Sequence, residues 1–370
     1  MKTLEQIQES ALKVDFNRAQ QQHFDKLMSE LEVISGGLGF ADLKAKAELG
    51  SKEALQIMRD YITKKEKIVE FIETKRMPYI DAETMRNILN EGTAEKAKEK
   101  LQVLLYTSAF DKQKQMLTQK LGGVGNAVTH RNCVLLELAG QLTGDIQTSI
   151  TQPWESKMYN RENRLYNCAD LSLGVEEYDA EGQFLSILMV LIQPKNDLAD
   201  TAGQRLSDLK KLKFYMEEFD SWFTSVTPDT TQNKTLNFTD LSLYSKDQLL
   251  YQLVNFFLGQ EEEARQGFGN LKQEYYDPKL GWKQSNYHHH DEEVERTSTD
   301  QLMGIMAEAI LGSPYEAKEK WQELKKDPRW VEPESGCWRA TENSVKGYNT
   351  SDELMDIILT AIFEKLKIKN

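Results

Sequence analysis

Cysteine is scarce: Cys133, Cys168 and Cys337 make an odd number and none lies in a C-x-x-C spacing. That argues against both a disulfide scaffold and a thiolate zinc site. No long hydrophobic run occurs either. The densest, "FLSILMVLI" from Phe184 to Ile192, is too short to span a bilayer, so no membrane insertion is expected. The opening residues "MKTLEQIQES" hold no apolar segment with a small-residue cleavage site. No signal peptide is visible, which favours a cytoplasmic location, although a leader already removed would leave the same sequence. No block of lysine or arginine stands out, and 46 basic against 59 acidic residues give a net charge of -13. Nucleic acid and anionic membrane surfaces need a concentrated basic face and are poor partners for such a chain. Also missing are the G-x-x-x-x-G-K-[ST] loop, the dinucleotide fingerprint, G-x-S-x-G and H-E-x-x-H. "LGGVGNAVTH" at 121–130 is glycine-rich but follows a helical stretch, a poor context for cradling phosphate. Three N-x-[ST] sequons, at Asn233, Asn237 and Asn349, carry meaning only in a eukaryotic secretory setting.

What is present is repetition. The 370 residues, 39% hydrophobic and 28% charged, describe a polar-surfaced, strongly helical chain with room for one large core or two domains. "YSKDQLLYQLVNFFLG", Tyr244 to Gly259, returns as "TSTDQLMGIMAEAILG", Thr297 to Gly312. With Asp247 and Asp300 as anchors, a glycine follows twelve positions later in both copies. A second helical stretch comes next, then Asp-Pro (277–278 and 327–328), then a glycine near tryptophan, "GW" at 281–282 and "GCW" at 336–338. A third copy opens at "YNTSDELMDIILTAIF" with anchor Asp352, so the anchors are spaced by 53 and 52 residues. Fainter copies run backwards through Gly182, Asn132 and Thr84, which gives six units with one enlarged gap after 182.

The two helices of a unit differ in pattern. Leu302, Met303, Ile305, Met306, Ala309, Ile310 and Leu311 make the first apolar on nearly every side, and such a helix is buried on every side. In the second, Ala317, Trp321 and Leu324 share one face while Glu316, Lys318, Glu319 and Lys325 lie elsewhere. An inner layer inside an outer layer follows. A hairpin of this kind cannot cover its own apolar face and must stack on neighbours, and closing the stack into a ring removes its exposed ends. The expected fold is all-α: αα-hairpin repeats of about 50 residues closing into an α/α toroid. On the "S-x-D-Q-L…G" and "DP…GW" pattern the chain resembles the six-hairpin (α/α)6-toroid superfamily, which includes many glycosidases. The resemblance covers roughly residues 80–370.

Residues 1–78 do not join the repeat. "LEQIQESALKVDFNRAQQQHFDKLMSELEVI" reads as one long helix or a broken pair closed by "SGGLG" at 35–39, with a second helix from about Phe40 and a third opening at Ser51. Pro78 disfavours helix in the residue before it. The expected division is therefore an N-terminal helical segment, 1–78, and a toroid, 79–370.

The repeated motif has a local reading. Thr297 or Ser298 offers a side-chain oxygen to the free amides of the first turn, Asp300 sits where the helix dipole favours negative charge, and Gln301 can reach back to complete a capping arrangement. Gly312 lets the chain leave the helix. A catalytic reading competes. In toroid enzymes the active site lies at the end of the ring where inner helices begin, and Asp247, Asp300 and Asp352 could there serve as acid and base. Against it stands the recurrence, because a reaction needs one acid and one base in distinct environments.

Function is better sought where the units differ. The stretch from Trp282 to Asp300 is longer than its counterpart and contains "NYHHHDEEVER". Glu292 and Glu293 join the candidate carboxylates, and His288, His290 and Asp291 could ligate a divalent metal; otherwise no cofactor is expected. A solvated polar loop is the plain alternative. Trp282, Tyr287, Trp338 and Tyr348 are candidates for stacking on a sugar, or for packing at repeat junctions. Arg339 could meet a substrate carboxylate or pair with a neighbouring glutamate. The resemblance implies a carbohydrate-active enzyme, a glycoside hydrolase acting on a glycan or another small molecule. The alternative is a non-catalytic helical-repeat scaffold that binds a protein partner.

Overall fold

In a computed structural model the chain divides into two compact units, Met1–Tyr79 and Ile80–Asn370. The residues described are 7–8, 18–36, 44–46, 52–76, 80–106, 110–111, 116–117, 129–144, 157–161, 164–168, 176–193, 199–212, 214–216, 221–223, 225–228, 236–240, 243–285, 296–341 and 349–368. In the first unit α1 (Arg18–Ser35) packs on α2 (Lys52–Arg76) through Phe24, Leu27, Met28, Leu31, Tyr61 and Ile68. Gly36, with φ +57, turns the chain out of α1 inside the expected "SGGLG" break. Ser51 lies outside the described residues.

The second unit contains α3 (Ala82–Asn90), α4 (Glu95–Leu105), α5 (His130–Thr143), α6 (Ala180–Ile192), α7 (Ala199–Lys211), α8 (Ser245–Phe257), α9 (Glu261–Tyr275), α10 (Ser298–Leu311), α11 (Pro314–Lys326) and α12 (Thr350–Lys365). Helices α5, α6, α8, α10 and α12 form the inner wall. Each packs on the next, and α12 returns to pack on α5, so the ring closes. Outside it, α7 covers α6, α9 covers α8, α11 covers α10, and α4 bridges α12 and α5. The division of labour follows the sequence pattern. All 14 residues of α10 are buried, whereas α11 buries only Ala317, Lys318 and Trp321. Ser313 caps α11 by accepting from Glu316 N, with Pro314 at the first helical position, where its missing N–H costs nothing.

All six anchors, Thr84, Asn132, Gly182, Asp247, Asp300 and Asp352, fall on the third residue of a helix. The first unit departs from the others. Its helix α3 has 9 residues and touches α5, α6, α8 and α12, so it lies across the C-terminal end of the ring instead of standing in the wall. Arg86 Nε donates to Leu191 O at 2.8 Å and Arg86 Nη2 to Phe257 O at 2.9 Å. Asn90 Nδ2 donates to Ile192 O at 2.6 Å. These carbonyls at the ends of α6 and α8 have no partner inside their own helices.

The "DP…GW" connection is an antiparallel hairpin of β5 (Tyr276–Asp277) and β6 (Gly281–Trp282). Asp277 Oδ1 accepts from Lys279 N at 2.7 Å and Leu280 N at 3.1 Å, and Gly281 at φ +83 completes the turn. The same device precedes α6 as β1 (Tyr159–Asn160) with β2 (Leu165–Tyr166), and α8 as β3 (Tyr215–Met216) with β4 (Ser221–Trp222). Before α12 it shrinks to a bridge between Val331 and Trp338. Across these hairpins Tyr159–Tyr166, Tyr215–Trp222 and Tyr276–Trp282 place their ring centroids 4.9, 4.9 and 5.4 Å apart, the spacing of favourable tilted pairs.

Gln301 corrects an expectation. Instead of reaching back to its own cap, it accepts from Trp282 N at 2.9 Å and donates to Trp282 O at 2.6 Å. Gln248 does the same to Trp222 (3.1 and 2.9 Å) and Gln183 to Tyr166 (3.0 and 2.7 Å). In the last unit Glu353 stands in this place and accepts from Trp338 N at 2.7 Å. A primary amide carries both N–H donors and a carbonyl acceptor and so satisfies both backbone groups of a strand residue at once. The glutamine of the motif is a strap between hairpin and inner helix.

Candidate functional site

The inner helices all begin at the end of the ring opposite α3, and their first turns meet there. Thr129 caps α5 by accepting from Asn132 N at 3.3 Å, Asp179 caps α6 through Gly182 N, and Thr297 caps α10 through Asp300 N at 3.1 Å. The recurring serine and aspartate link successive helices. Ser245 Oγ donates to Asp300 Oδ1 at 3.0 Å. One unit on, Ser298 Oγ donates to Asp352 Oδ2 at 2.6 Å and Thr299 Oγ1 to Asp352 Oδ1 at 2.7 Å. The first residue of one inner helix thus holds the third residue of the next. Asp247, Asp300 and Asp352 are completely buried.

Between those positions, at the second residue of each helix, the units differ in type: Arg131, Glu181, Lys246, Thr299 and Ser351. Here the ring end carries an ion triad. Arg131 Nε lies 2.7 Å from Glu181 Oε1, and Lys246 Nζ lies 2.7 Å from Glu181 Oε2. Arg131 Nη2 also donates to Thr299 Oγ1 at 3.1 Å. The Glu181 side chain is 6% exposed, while Arg131 and Lys246 each keep 18%, so the cations are the part of the triad that meets solvent.

The carboxylates at this end are driven in opposite directions. Burial alone would raise Glu181, but Arg131 and Lys246 outweigh it and hold the carboxyl below its ordinary value. Burial pushes Asp300 up to about 6 against the pull of Lys246, Thr297 and Ser245. Burial likewise raises Asp352 and, with Glu181 nearby, Asp179. For Lys246 the attraction of Glu181 and Asp247 overcomes burial and raises it, which keeps it charged. His130, the first residue of α5, is fully buried, lowered to about 3 and therefore neutral.

Of the other sequence candidates, the structure describes Trp282, Trp338 and Arg339. Trp282 and Trp338 are buried at 4% and 1% exposure, in the hairpin positions that Gln301 and Glu353 strap down. Arg339 is half-buried. Tyr287, His288, His290, Asp291, Glu292, Glu293 and Tyr348 lie outside the described residues. Among the described residues no group of three histidine, cysteine, aspartate or glutamate side chains is placed to hold a metal ion, and no helix is long and apolar enough to cross a membrane. Sequence reasoning missed Arg131, Glu181, Lys246 and Asp179. A signal existed: the residue before each anchor is where the aligned units stop agreeing.

No protein family matches the sequence, and no curated protein is similar to it. Among solved structures the chain is similar to a family 76 glycoside hydrolase from a bovine Bacteroides thetaiotaomicron strain, with 8% identity over 75% of this chain and 79% of that one and a TM-score of 0.45. It is also similar to a D-mannose isomerase, with 12% identity over 78% and 87% and a TM-score of 0.48. A third is an unsaturated glucuronyl hydrolase specific for heparin, with 11% identity over 77% and 98% and a TM-score of 0.47.

Proposed function

We propose that the chain is a carbohydrate-active enzyme that works at the end of the ring where the inner helices begin. The observation that carries the reading is the convergence there of Glu181, bridged by two partly exposed cations, with the buried Asp300. Carboxyls whose surroundings push their proton affinities apart can divide the roles of base and acid. Glu181 is the ionised member and takes the part of base or nucleophile; Asp300, pushed up to about 6, donates the proton to a departing sugar oxygen. Arg131 and Lys246 hold Glu181 in place and can meet polar substituents of the substrate. Asp247, Asp352, Glu292 and Glu293 remain candidates for the same cavity mouth, Tyr287, Trp282, Trp338, Arg339 and Tyr348 for substrate contact, and His288, His290 and Asp291 for a divalent metal.

A second reading, a non-catalytic scaffold that binds a protein partner, is favoured by one fact. Asp300 and Asp352 accept hydrogen bonds from the preceding helix and are completely buried, as expected of groups that fasten the ring. A glycan panel assayed with the wild type, Glu181→Asp and Asp300→Asn separates the two. The enzyme reading expects turnover that drops by about 100-fold or more in both variants while far-UV circular dichroism is kept. Turnover indifferent to both substitutions, or none on any glycan, rejects it in favour of the scaffold.

A further inference from the structure

Because the units repeat, the grooves between hairpin, inner helix and outer helix can be matched position by position. Between β5–β6, α10 and α11 the groove holds about 160 Å³. Trp282 fills it, lying so close to α10 that a Cβ added at Gly304 would come within 2.0 Å of the indole Nε1. Between β1–β2, α6 and α7 the matching groove holds about 490 Å³, within the size range of small-molecule sites. The smaller Tyr166 replaces Trp282 there, and Ser186 replaces Gly304.

The enlarged cleft carries polar groups along largely apolar walls. Ser186, 1% exposed, lines it and lies 3.0 Å from His130 Nε2. His130 in turn stacks on Tyr166 with centroids 4.6 Å apart and planes at 9°. The Arg205 guanidinium lies 5.8 Å from the Tyr166 ring centroid, and among the described residues it has neither an ion-pair nor a hydrogen-bond partner. A guanidinium held on an aromatic face in this way keeps its fork of donors available. Arg164, also lining the cleft, has φ 58, a left-handed backbone for a long side chain, and such strain gathers at functional positions. Its one acidic contact among the described residues, Asp208 at 3.5 Å, is shared with Lys211 and Gln204. Asp200 and Thr201, exposed on the first turn of α7, complete the rim with groups suited to hydroxyls.

We propose that the cleft between β1–β2, α6 and α7 is a binding site for a small hydroxylated carboxylate such as an aldonate or a uronate. Arg205 and Arg164 grip the carboxylate, and Asp200, Thr201 and Ser186 meet the hydroxyls. The site shares no residue with the ring-end cluster and stands independently of the proposed activity. Isothermal titration of the full chain with D-gluconate and with neutral D-glucose tests it. Gluconate is expected to bind about tenfold or more tightly than glucose, and Arg205→Gln to weaken gluconate by about tenfold or more, with partial recovery in Arg205→Lys. Thr201→Trp, at an exposed position, is expected to fill the cleft and abolish binding without moving the melting temperature. Gluconate binding no tighter than glucose, including no binding of either, overturns the proposal, as does affinity unchanged in Arg205→Gln. Should Arg205→Gln fail to fold, Thr201→Trp decides alone: full gluconate affinity with the cleft filled sinks the site.

Discussion

The two ends of the inner ring pose opposite electrostatic problems and are treated in opposite ways. Where the inner helices end, orphan carbonyls and negative dipole ends converge, and donors are needed. Helix α3 meets that need with little: Arg86 and Asn90 serve α6 and α8, while Lys365 of α12 reaches back to Glu91 O and Gly92 O. Each of these groups has a carbonyl to serve, and the buried Glu308 near the end of α10 accepts from Ser313 N and pairs with Lys272 of α9 and Lys320 of α11. Where the helices begin, amides and positive dipole ends converge, and a hydroxyl or carboxylate per helix would suffice. Thr129, Asp179 and Thr297 already do this. Yet Glu181, Asp247, Asp300, Asp352, Arg131 and Lys246 are gathered there as well. The ionisable cluster where the helices begin exceeds what capping requires, and the proposed function rests on that excess.

Removing one charge from each end tests this contrast and has the largest expected effects. Glu181→Gln leaves Arg131 and Lys246 facing each other without their shared anion, and breaking a buried pair of this kind costs about 3–5 kcal/mol. Arg86→Ala leaves two carbonyls without donors and should cost about 2–6 kcal/mol, at about 1–3 kcal/mol for each group left unsatisfied. Both are read as shifts in the denaturant midpoint. The ends also differ in kind: Arg86→Ala should leave any glycan turnover per folded molecule intact, and Glu181→Gln should abolish it. Equal loss of turnover in both variants would erase the distinction between a closing end and a working one.

A smaller effect, of opposite sign, is expected at the strap of the last unit. Glu353 takes the place that Gln183, Gln248 and Gln301 hold elsewhere. Burial first of all, with Asp356 and Asp352 nearby, pushes its carboxyl from 4.5 up to about 7, while Trp338 N and Lys100 act against that rise. Between about pH 4.5 and about pH 7 the folded chain holds a proton there that the unfolded chain has released. Stability therefore falls as pH rises across that window, by roughly 3 kcal/mol once both states are ionised. Glu353→Gln restores the amide of the other units. It should stabilise the protein at pH 8 by about 1–3 kcal/mol and flatten the slope of stability against pH between 4.5 and 7. A slope unchanged in the variant would place the proton elsewhere.

How much of this was legible in the sequence follows from the range of each interaction. The anchors located the third residue of six helices because capping side chains and all-round apolar helices are encoded within one turn or one helix. Closure into a ring followed from the same pattern. The hairpins escaped because Tyr276, Asp277, Gly281 and Trp282 pair across a turn whose geometry depends on one aspartate side chain. The glutamine strap escaped because Gln301 and Trp282 are 19 residues apart, and a glutamine in a first turn also fits a capping box. That α3 lies across the ring was invisible, since a nine-residue amphipathic helix reads alike in either orientation. The triad was hidden by distance, Glu181 and Lys246 being 65 residues apart.

The smallest expected effect, at Thr350, sharpens the meaning of the hydroxyl side chain that opens three of the inner helices. Ser245, Ser298 and Thr350 occupy the same position in three successive units, and a purely local role would make their loss equivalent. The structure separates them. Ser245 and Ser298 each donate to a buried aspartate of the next helix, and hydrogen bonds to charged groups are worth about 1.5–3 kcal/mol. Thr350 Oγ1, at the seam where α12 meets α5, is buried with no hydrogen-bond partner among the described residues. There the third residue of the next helix is Asn132 instead of an aspartate. Ser245→Ala and Ser298→Ala should each lower the denaturant midpoint by the equivalent of about 1.5–3 kcal/mol, while Thr350→Ala should change it by less than about 0.5 kcal/mol, since no bond is lost. Equal costs at all three positions would mean that the serine acts within its own first turn and that the aspartates are held by something else. A cost at Thr350 alone would place the strongest junction of the ring at the seam, where the repeat is least regular.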